Sequence, residues 1–455
     1  MKKLLLIAFL ISFSSCSEKA ESNETVIKDK NFEYKSYKPI GNEIVLSRSL
    51  YLKKLKGFWL AQCIANWTGI VTEMDKIGNI GEFKTGDFYT RDDWGKKDLP
   101  RYNGSKQDFA PNIDFVFESE DGIWRADDDT DIEYIYQHLL YTNKTSMLNG
   151  KQIRDGWLKH IKEEEENFLW VSNQKALDLM ISGVVPPATS DPKNNPDFDM
   201  IDAQLTTEIF GFYSPGRPDF AVKMADLPIR TTARFNAEWI SKFYVSMYSL
   251  AANPDPNLSI KENLLIIAEK SRNQLPGDSY ASKMYDFIKK QYNEGKPWEI
   301  IRDNVYQRYQ VDQKDGYDNS TISKEEIEKC NGCAAAGINF AASIISLFAG
   351  EGDLKETIKI ASLMGWDSDN PTATWGGLIG FMIGHDGVEK AFNKVFSEEY
   401  NIHRTRQNFP NGIDNFTNMA SVGVFITDRV VQEELGGGVD LENNIWYIPK
   451  LTKND

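Results

Sequence analysis

Apolar residues recur at spacings of three and four along most of the chain, and this period predicts α-helices. The pattern covers the segments 50–71, 132–140, 157–181, 233–252, 261–271, 279–292 and 330–350. Connectors that contain Gly and Pro separate these segments. Runs that alternate like a β-strand are few and short, namely 115–117 and 446–448. The sequence therefore predicts an all-α fold with few short strands, as one domain over residues 41–435 with a C-terminal extension at 436–455.

Several helices carry small residues at a spacing of four. Ala61, Ala65 and Gly69 follow this spacing, and so do Gly376 and Gly380. Such a spacing lets two helix backbones approach each other closely, or lets a backbone approach a ligand. We expect tight packing at these positions.

The composition is that of an ordinary globular protein, with 455 residues of which 41% are hydrophobic and 26% charged. The formal net charge is −15. This acidic balance argues against nucleic acid as a partner, because phosphate binding needs a concentrated basic surface. After residue 20 no stretch of about 18 apolar residues occurs, so we expect no membrane-spanning helix.

The N-terminus has the pattern of a targeting segment. Lys2 and Lys3 precede an apolar run from Leu4 to Phe13, and two small Ser residues then lead to Cys16. This arrangement resembles a lipobox, in which residues 1–15 are a signal peptide and Cys16 is acylated; the alternative is a plain secretory signal with an incidental Cys. Residues 16–40 are then a flexible tether. The expected location is extracytoplasmic, at a bacterial membrane (the outer membrane, facing the periplasm or the cell surface), with membrane contact only through the lipid anchor.

Cys63, Cys330 and Cys333 are the cysteines that follow Cys16. Three cysteines do not make a disulfide scaffold. Cys330 and Cys333 form one C-x-x-C pair without a second pair or a nearby His, which is a weak zinc signal. A local disulfide and two plain thiols both stay open.

The densest candidate chemistry is the acidic run Asp127, Asp128, Asp129 and Asp131, directly before the helical segment 132–140. Asp is favoured at a helix N-terminus by the helix dipole and by free backbone N–H groups. Capping needs only one or two carboxylates, however, and three in succession repel one another unless a cation is present. A hard divalent ion would remove the repulsion and take the oxygens as ligands.

A second acidic turn contains Asp367, Asp369 and Asn370 and again precedes a run of small and apolar residues. Asp367 and Asp369 are two residues apart, so both can face one ion in a turn. The chain has four His, and none flanks either acidic cluster. Oxygen ligands without His or Cys suit Mg²⁺, Mn²⁺ or Ca²⁺ better than zinc.

Together these segments resemble the ADP-ribosylglycohydrolase family, whose hallmarks are a Thr-Asp-Asp-Thr element and a late Gly-Gly-Asp-Thr-Asp-Thr element. The first matches 127–130, with Asp127 in place of Thr, and the second matches 365–370, with Trp366 in place of Gly and Asn370 in place of Thr. A Gly-rich first helix that ends in Gly-Asp-x-x-Gly and then Glu matches 57–73, with Asn66 in place of Asp and Glu73 in place of the Glu. The likeness runs from about residue 50 to 390 and includes features of the secreted bacterial branch.

The resemblance implies a compact all-α fold with two Mg²⁺ or Mn²⁺ ions. Asp128, Asp129, Asp367 and Asp369 would be the core ligands, and Asp127 and Asn370 occupy further ligand positions with changed chemistry. Glu73 or Asp129 would act as acid or base. Asn66, Trp124 and Trp366 would contact substrate, the Trp rings by stacking on sugar. We expect the two acidic turns to approach each other, with Glu73 in the same cleft.

Three hypotheses about function follow. The first is an extracytoplasmic metal-dependent glycosidase (EC 3.2 class) that acts on glycan or polysaccharide-derived fragments, because Trp residues stand beside the acidic motifs. The second is hydrolysis of N- or O-glycosidic ADP-ribosyl bonds, which calls for Arg or backbone N–H groups near the site to bind pyrophosphate; Arg125 is the candidate. The third is a non-catalytic glycan-binding lipoprotein. Four buried carboxylates without an ion would be costly, which argues against the third.

Overall fold

The computed structural model describes residues 26–451, except 106–108, 164–165, 319–323, 325–327 and 329. The predicted signal peptide and the acylation of Cys16 therefore lie outside the described residues. Within the described part, no helix combines the length and apolar character that a membrane crossing requires.

The described residues form fourteen α-helices and six short strands, so the prediction of an all-α fold is confirmed. The helices are α1 Arg48–Ile70, α2 Asp128–Thr142, α3 Gly150–His160, α4 Val171–Ile181, α5 Asp202–Thr206, α6 Pro218–Ile229, α7 Asn236–Ala251, α8 Ile260–Ser271, α9 Tyr280–Asn293, α10 Trp298–Val305, α11 Ala336–Ala349, α12 Leu354–Ser362, α13 Asp369–Phe392 and α14 Phe416–Arg429. The strands are β1 Glu43–Ser47, β2 Trp124–Arg125, β3 Glu399–Asn401, β4 Ile413–Asn415, β5 Gly438–Asp440 and β6 Ile445–Pro449.

Two local predictions are wrong. The single helix expected over 157–181 is divided between α3 and α4, because the chain leaves the helix at Ile161, which pairs with Arg406 in a β-bridge. Phe168, in the connection, has a φ of 53° that a helix does not contain. The strand expected at 115–117 is also not formed: this segment is irregular, and its Val116 N–H donates to Thr68 Oγ1 at 3.1 Å. The strand expected at 446–448 is present within β6.

Helices α1 and α13 run antiparallel through the centre of the core. A Cβ added at Gly380 would overlap Ala61 and the Gly57 carbonyl, and one added at Gly376 would overlap Ala65. At the other end of the pair, a Cβ on Gly69 would overlap the Asp369 backbone. The small residues therefore let the two backbones touch, as their spacing predicted. Because of this contact, the first residue of α13, Asp369, lies beside the end of α1 at Gly69.

Two three-stranded sheets lie outside the helical core, in the orders β1-β6-β5 and β2-β3-β4. The first sheet pairs β1 antiparallel with β6, so the segment predicted as an extension at 436–455 contributes two strands to the domain. In the second sheet, β2 runs parallel to β3 and leads directly into the turn before α2.

A buried ion pair fixes the first sheet to the helices. Arg48 donates to both carboxylate oxygens of Asp428, at 2.9 and 2.7 Å, and both side chains are fully buried. Asp428 also accepts from Trp446 Nε1 and from the Tyr34 hydroxyl. The residues around Tyr34, in the segment predicted as a tether, are thus bound to the domain.

Candidate metal centre

The first acidic turn is held at the start of α2. Asp127 is the N-cap residue, with the extended backbone that a cap requires, and its N–H donates to Thr130 Oγ1 at 3.2 Å. Thr130 in turn hydrogen-bonds the Tyr400 hydroxyl at 2.7 Å. Since Tyr400 belongs to β3, the small sheet and the helix cap together fix where Asp127, Asp128 and Asp129 lie.

The second acidic turn is pinned to the loop that follows α1. Gly365 and Trp366 both have positive φ, 90° and 56°, which turns the chain sharply before Asp367. Trp366 N–H donates to Lys76 O and Trp366 O accepts from Met74 N–H, each at 2.8 Å. Met74 directly follows Glu73, so this pairing brings the Glu73 side chain beside Asp367.

The carboxylates converge in two groups that share one residue. Oxygens of Asp127, Asp128, Asp129 and Asp369 lie within 4.8 Å of one another, and so do oxygens of Glu73, Asp367 and Asp369. The two turns are some 240 residues apart in sequence, as the 241-residue separation of Asp129 and Asn370 illustrates. Asp369 belongs to both groups, so the two groups are contiguous.

Asp129 is the most firmly held of these carboxylates. It is 2% exposed and accepts from Asn66 Nδ2 at 2.9 Å and from Asn370 Nδ2 at 3.4 Å. Asn370 is itself oriented by Gln204 Nε2, which donates to its Oδ1 at 3.2 Å. The two side-chain amides therefore orient Asp129, each by a hydrogen bond to one of its carboxylate oxygens. Asn66 is fully buried, and the side-chain oxygen of Asn370 is occupied by Gln204.

The electrostatics of the centre call for a cation. Burial, and then repulsion by neighbouring carboxylates, raises the pKa of Asp128, Asp129, Asp367 and Asp369 well above the ordinary value. Asp369 Oδ1 is buried and has no hydrogen-bond partner. A divalent ion would supply the missing partner and the missing positive charge, and the all-oxygen donor set fits Mg²⁺, Mn²⁺ or Ca²⁺.

Glu73 differs from the Asp residues because it has a cationic neighbour. Burial raises its pKa, while the Arg101 guanidinium, which forms an ion pair with Glu73 Oε2, acts in the opposite direction. The Glu73 side chain is 17% exposed, so it borders the centre and also reaches its surface.

Two further guanidinium groups stand beside the first acidic turn. Arg404 donates to the Ala126 carbonyl and lies 3.3 Å from Asp127 Oδ1. Arg404 and Arg125 both stack on the Trp67 ring, at 5.0 and 4.2 Å from its centroid, and the Trp67 indole N–H donates to Arg125 O. The centre is therefore acidic inside and bordered by three Arg side chains.

Comparison with known proteins identifies the family. The sequence model of the family described as ADP-ribosylglycohydrolase matches residues 47–411. The chain belongs to the ADP-ribosylglycohydrolase family. Members hydrolyse glycosidic bonds and are typically dependent on divalent metal ions, so membership supports a hydrolase of this class.

A solved structure described as an ADP-ribosylglycohydrolase-related protein complex is similar to this chain, with 15% identity and a TM-score of 0.46 over 83% of this chain and 98% of that chain. No curated protein matches the sequence.

Trp124 and Trp366, which flank the acidic motifs, do not line the centre. Trp124 is 1% exposed and donates to Ser397 O, and Trp366 is fully buried, packs on Phe88 and donates to Gln310. The prediction that these two indoles stack on substrate is wrong, because both side chains are buried and neither ring face is open to a ligand. Asn66 likewise contacts Asp129 from inside the protein.

Sequence reasoning missed Arg101, Arg404 and Gln204, which all contact the predicted ADP-ribosylglycohydrolase motifs. It also missed Asn339, whose Oδ1 accepts from the Asp367 N–H at 3.3 Å. Each stands outside any acidic run and far along the chain from the group that it touches. No local spacing could have pointed to them.

Proposed function

We propose that the protein is a divalent-metal-dependent hydrolase of ADP-ribosyl glycosidic bonds, N- or O-linked. The observation that carries the proposal is the juxtaposition of two carboxylate groups sharing Asp369 with a border of guanidinium groups. The carboxylates suit metal-assisted hydrolysis, and the guanidiniums suit a substrate that bears a pyrophosphate. Burial of the flanking Trp residues removes the reason to favour a neutral glycan.

The metal ligands in this proposal are Asp127, Asp128, Asp129, Asp367 and Asp369. Bound Mg²⁺ or Mn²⁺ would supply Lewis acidity, which polarises a substrate hydroxyl and lowers the pKa of water. Asn370 contributes by orienting Asp129, because its oxygen already accepts from Gln204. Asn66 fixes the other oxygen of Asp129.

Glu73 is the residue best suited to move a proton. It is more exposed than Asp129, and its ion pair with Arg101 fixes the Oε2 oxygen while the side chain stays 17% exposed and so within reach of substrate or water. Asp129 accepts hydrogen bonds on both oxygens, which suits a fixed ligand better than a group that changes protonation. We therefore assign general acid–base catalysis to Glu73.

Arg404 and Arg125 would bind the anionic part of the substrate. Both guanidinium groups lie over the Trp67 ring, which limits their motion, and a guanidinium can make bidentate contacts to phosphate. Their partners in the protein, a main-chain carbonyl and acidic side chains, use fewer than the five N–H donors of each guanidinium, and the Arg125 side chain is 40% exposed.

The proposed location remains the one that the N-terminal pattern predicts, a lipid-anchored extracytoplasmic protein. This location is the reason to keep glycan fragments as a second substrate class. The first experiment therefore presents the purified protein with ADP-ribosyl-arginine, O-linked ADP-ribose esters and neutral oligosaccharides, each with Mg²⁺, Mn²⁺, Ca²⁺ or a chelator.

We expect release of ADP-ribose with Mg²⁺ or Mn²⁺, and loss of that activity with chelator or in Asp128→Ala and Asp369→Ala. Asp121→Ala, which removes an exposed carboxylate before β2, is the matched control and keeps activity. Cleavage of neutral oligosaccharides alone would replace the ADP-ribosyl proposal with the glycan one. Binding of oligosaccharides without any turnover would favour the non-catalytic reading.

A further inference from the structure

A second cluster of metal-ligating side chains lies at the far end of α13. The helix is interrupted at Gly384, which has a φ of 72°, and the next turn carries His385, Asp386 and Glu389. Ligand atoms of these three residues lie within 4.8 Å of one another. His385 and Glu389 are four residues apart and so share one face of the helix. By helix rise, His385 is about 24 Å along α13 from Asp369.

The His385 imidazole is buried, yet one of its ring nitrogens lacks the hydrogen bond that a buried polar atom usually makes. The residue is 8% exposed, and its Nε2 is buried without a hydrogen-bond partner. Nδ1 lies 3.7 Å from Asp386 Oδ1 and 3.9 Å from Glu389 Oε2. Nε2 lies 3.9 Å from Glu398 Oε1. These distances are too long for hydrogen bonds, yet each ring nitrogen faces a carboxylate.

The surrounding groups orient two of the carboxylates. Glu389 Oε1 accepts from the Phe396 N–H at 3.3 Å, which leaves Oε2 facing the imidazole. Glu398 is fixed by Lys56 Nζ at 2.6 Å and by the Thr417 hydroxyl at 2.7 Å. Lys56 offsets the charge of Glu398, so Asp386 and Glu389 remain as two negative charges beside the imidazole.

We propose that His385 Nδ1 and the carboxylates of Asp386 and Glu389 bind one divalent transition-metal ion, with Zn²⁺ as the best fit. Two carboxylates balance the charge of such an ion, and an imidazole nitrogen with carboxylate oxygens is a donor set that zinc accepts. With the metal on Nδ1, the ring proton is on Nε2 and faces Glu398. This is the carboxylate–histidine–metal arrangement that orients metal-bound imidazoles. The site is independent of the proposed function, since it shares no residue with the acidic centre.

The ligand atoms are already near the required positions. Atoms that bind zinc at about 2.1 Å in a tetrahedron are about 3.4 Å apart. The distances from Nδ1 to the two carboxylates exceed this value only slightly, so small rotations of the Asp386 and Glu389 side chains would bring all three atoms to the ion. Asp386 is 89% exposed and free to make that adjustment, and its exposure gives the ion a path from solvent.

The competing explanation is a protonated imidazolium that is balanced by the same carboxylates. Calorimetric titration with Zn²⁺ distinguishes the two, on the full-length protein in buffer with excess Mg²⁺ to occupy the acidic centre. Co²⁺ in the same buffer gives a visible absorption band whose intensity distinguishes four- or five-coordinate Co²⁺ in the protein from the hydrated ion. The variants are His385→Ala, Glu389→Gln and Asp386→Asn, and His138→Ala is the matched control because it removes an imidazole elsewhere.

We expect wild type and His138→Ala to bind one Zn²⁺ at this site, and each of the three ligand variants to bind it at least 10-fold more weakly and to lose the cobalt band. Glu398→Gln should weaken binding by about 10- to 100-fold, as loss of an orienting carboxylate does elsewhere. If His385→Ala does not fold, the exposed Asp386→Asn variant decides the question. Zinc affinity equal to wild type in that variant, or a wild-type protein that binds no Zn²⁺, would overturn the proposal.

Discussion

Metal binding at the acidic centre should reverse the pH dependence of stability. Without metal, burial and mutual repulsion raise the pKa of Asp128, Asp129, Asp367 and Asp369 in the folded protein. Above the ordinary carboxyl pKa of about 4, the folded state then retains protons that the unfolded state has released. The free energy of unfolding is therefore greatest below about pH 4. It falls as the pH rises from there through the raised folded-state pKa values, by about 1.4 kcal/mol per pH unit for each retained proton.

A divalent ion binds the ionised carboxylates, so its stabilisation of the folded state increases as the pH rises. One ion at 100 times its dissociation constant stabilises the folded state by about 2.7 kcal/mol. For unfolding of about 400 residues, the entropy change is about 0.8 kcal/mol/K. We therefore expect the Tm to rise by about 3 °C for one ion and about 6 °C for two, because each stabilisation is divided by that entropy.

Differential scanning fluorimetry from pH 5 to 8, with chelator or with Mg²⁺, measures both effects. In chelator the Tm should fall as pH rises, and the Mg²⁺-induced increase should grow over the same range. Asp369→Asn removes the carboxylate common to both groups and should abolish most of the increase, whereas Asp121→Asn should keep it. A Mg²⁺ effect that is independent of pH, or equal in Asp369→Asn and wild type, would refute the metal assignment.

Three other variants test separate parts of the structure. Gly380→Ala places a Cβ against Ala61 and should lower the free energy of unfolding by about 1–3 kcal/mol in urea titrations, whereas a gain in stability would contradict the close contact of α1 and α13. Arg404→Ala should raise the KM for an ADP-ribosyl substrate by about 10- to 100-fold, as expected for a lost hydrogen bond to a charged group, and an unchanged KM would exclude it from binding. Cys16→Ser should move the protein from the membrane fraction to the soluble fraction, and unchanged fractionation on immunoblots would disprove the anchor.

The fold was predictable where local pattern and tertiary structure agree. The spacing of small residues in α1 and α13 predicted their close contact, which the structure shows. The acidic turns stand at the N-termini of helices because Asp is favoured there. The break between α3 and α4 was not predictable, because a bridge to Arg406, far along the chain, ends the first helix.

The site was predictable only in part for a similar reason. A run of carboxylates is visible in sequence, whereas the groups that orient it come from other segments. Arg404 reaches Asp127 and Gln204 reaches Asn370 across 277 and 166 residues. For Trp366 the sequence predicted a contact that the structure does not show. Its position beside the acidic motif suggested contact with a ligand, but its side chain is buried in the core, where it donates to Gln310 and holds the turn.

The course of α1 determines which side of the domain would face a membrane if the proposed lipid anchor tethers the protein. Strand β1 leads into one end of this helix, and Asn66 and Glu73 lie near its other end, about 34 Å away for 23 residues. Strand β6 pairs with β1, so both described ends of the chain emerge on the same side. With Cys16 acylated, the domain would stand with that side toward the bilayer and the metal centre toward the solvent. Helix α1 would then act as a spacer that keeps the cleft open to substrates diffusing from outside.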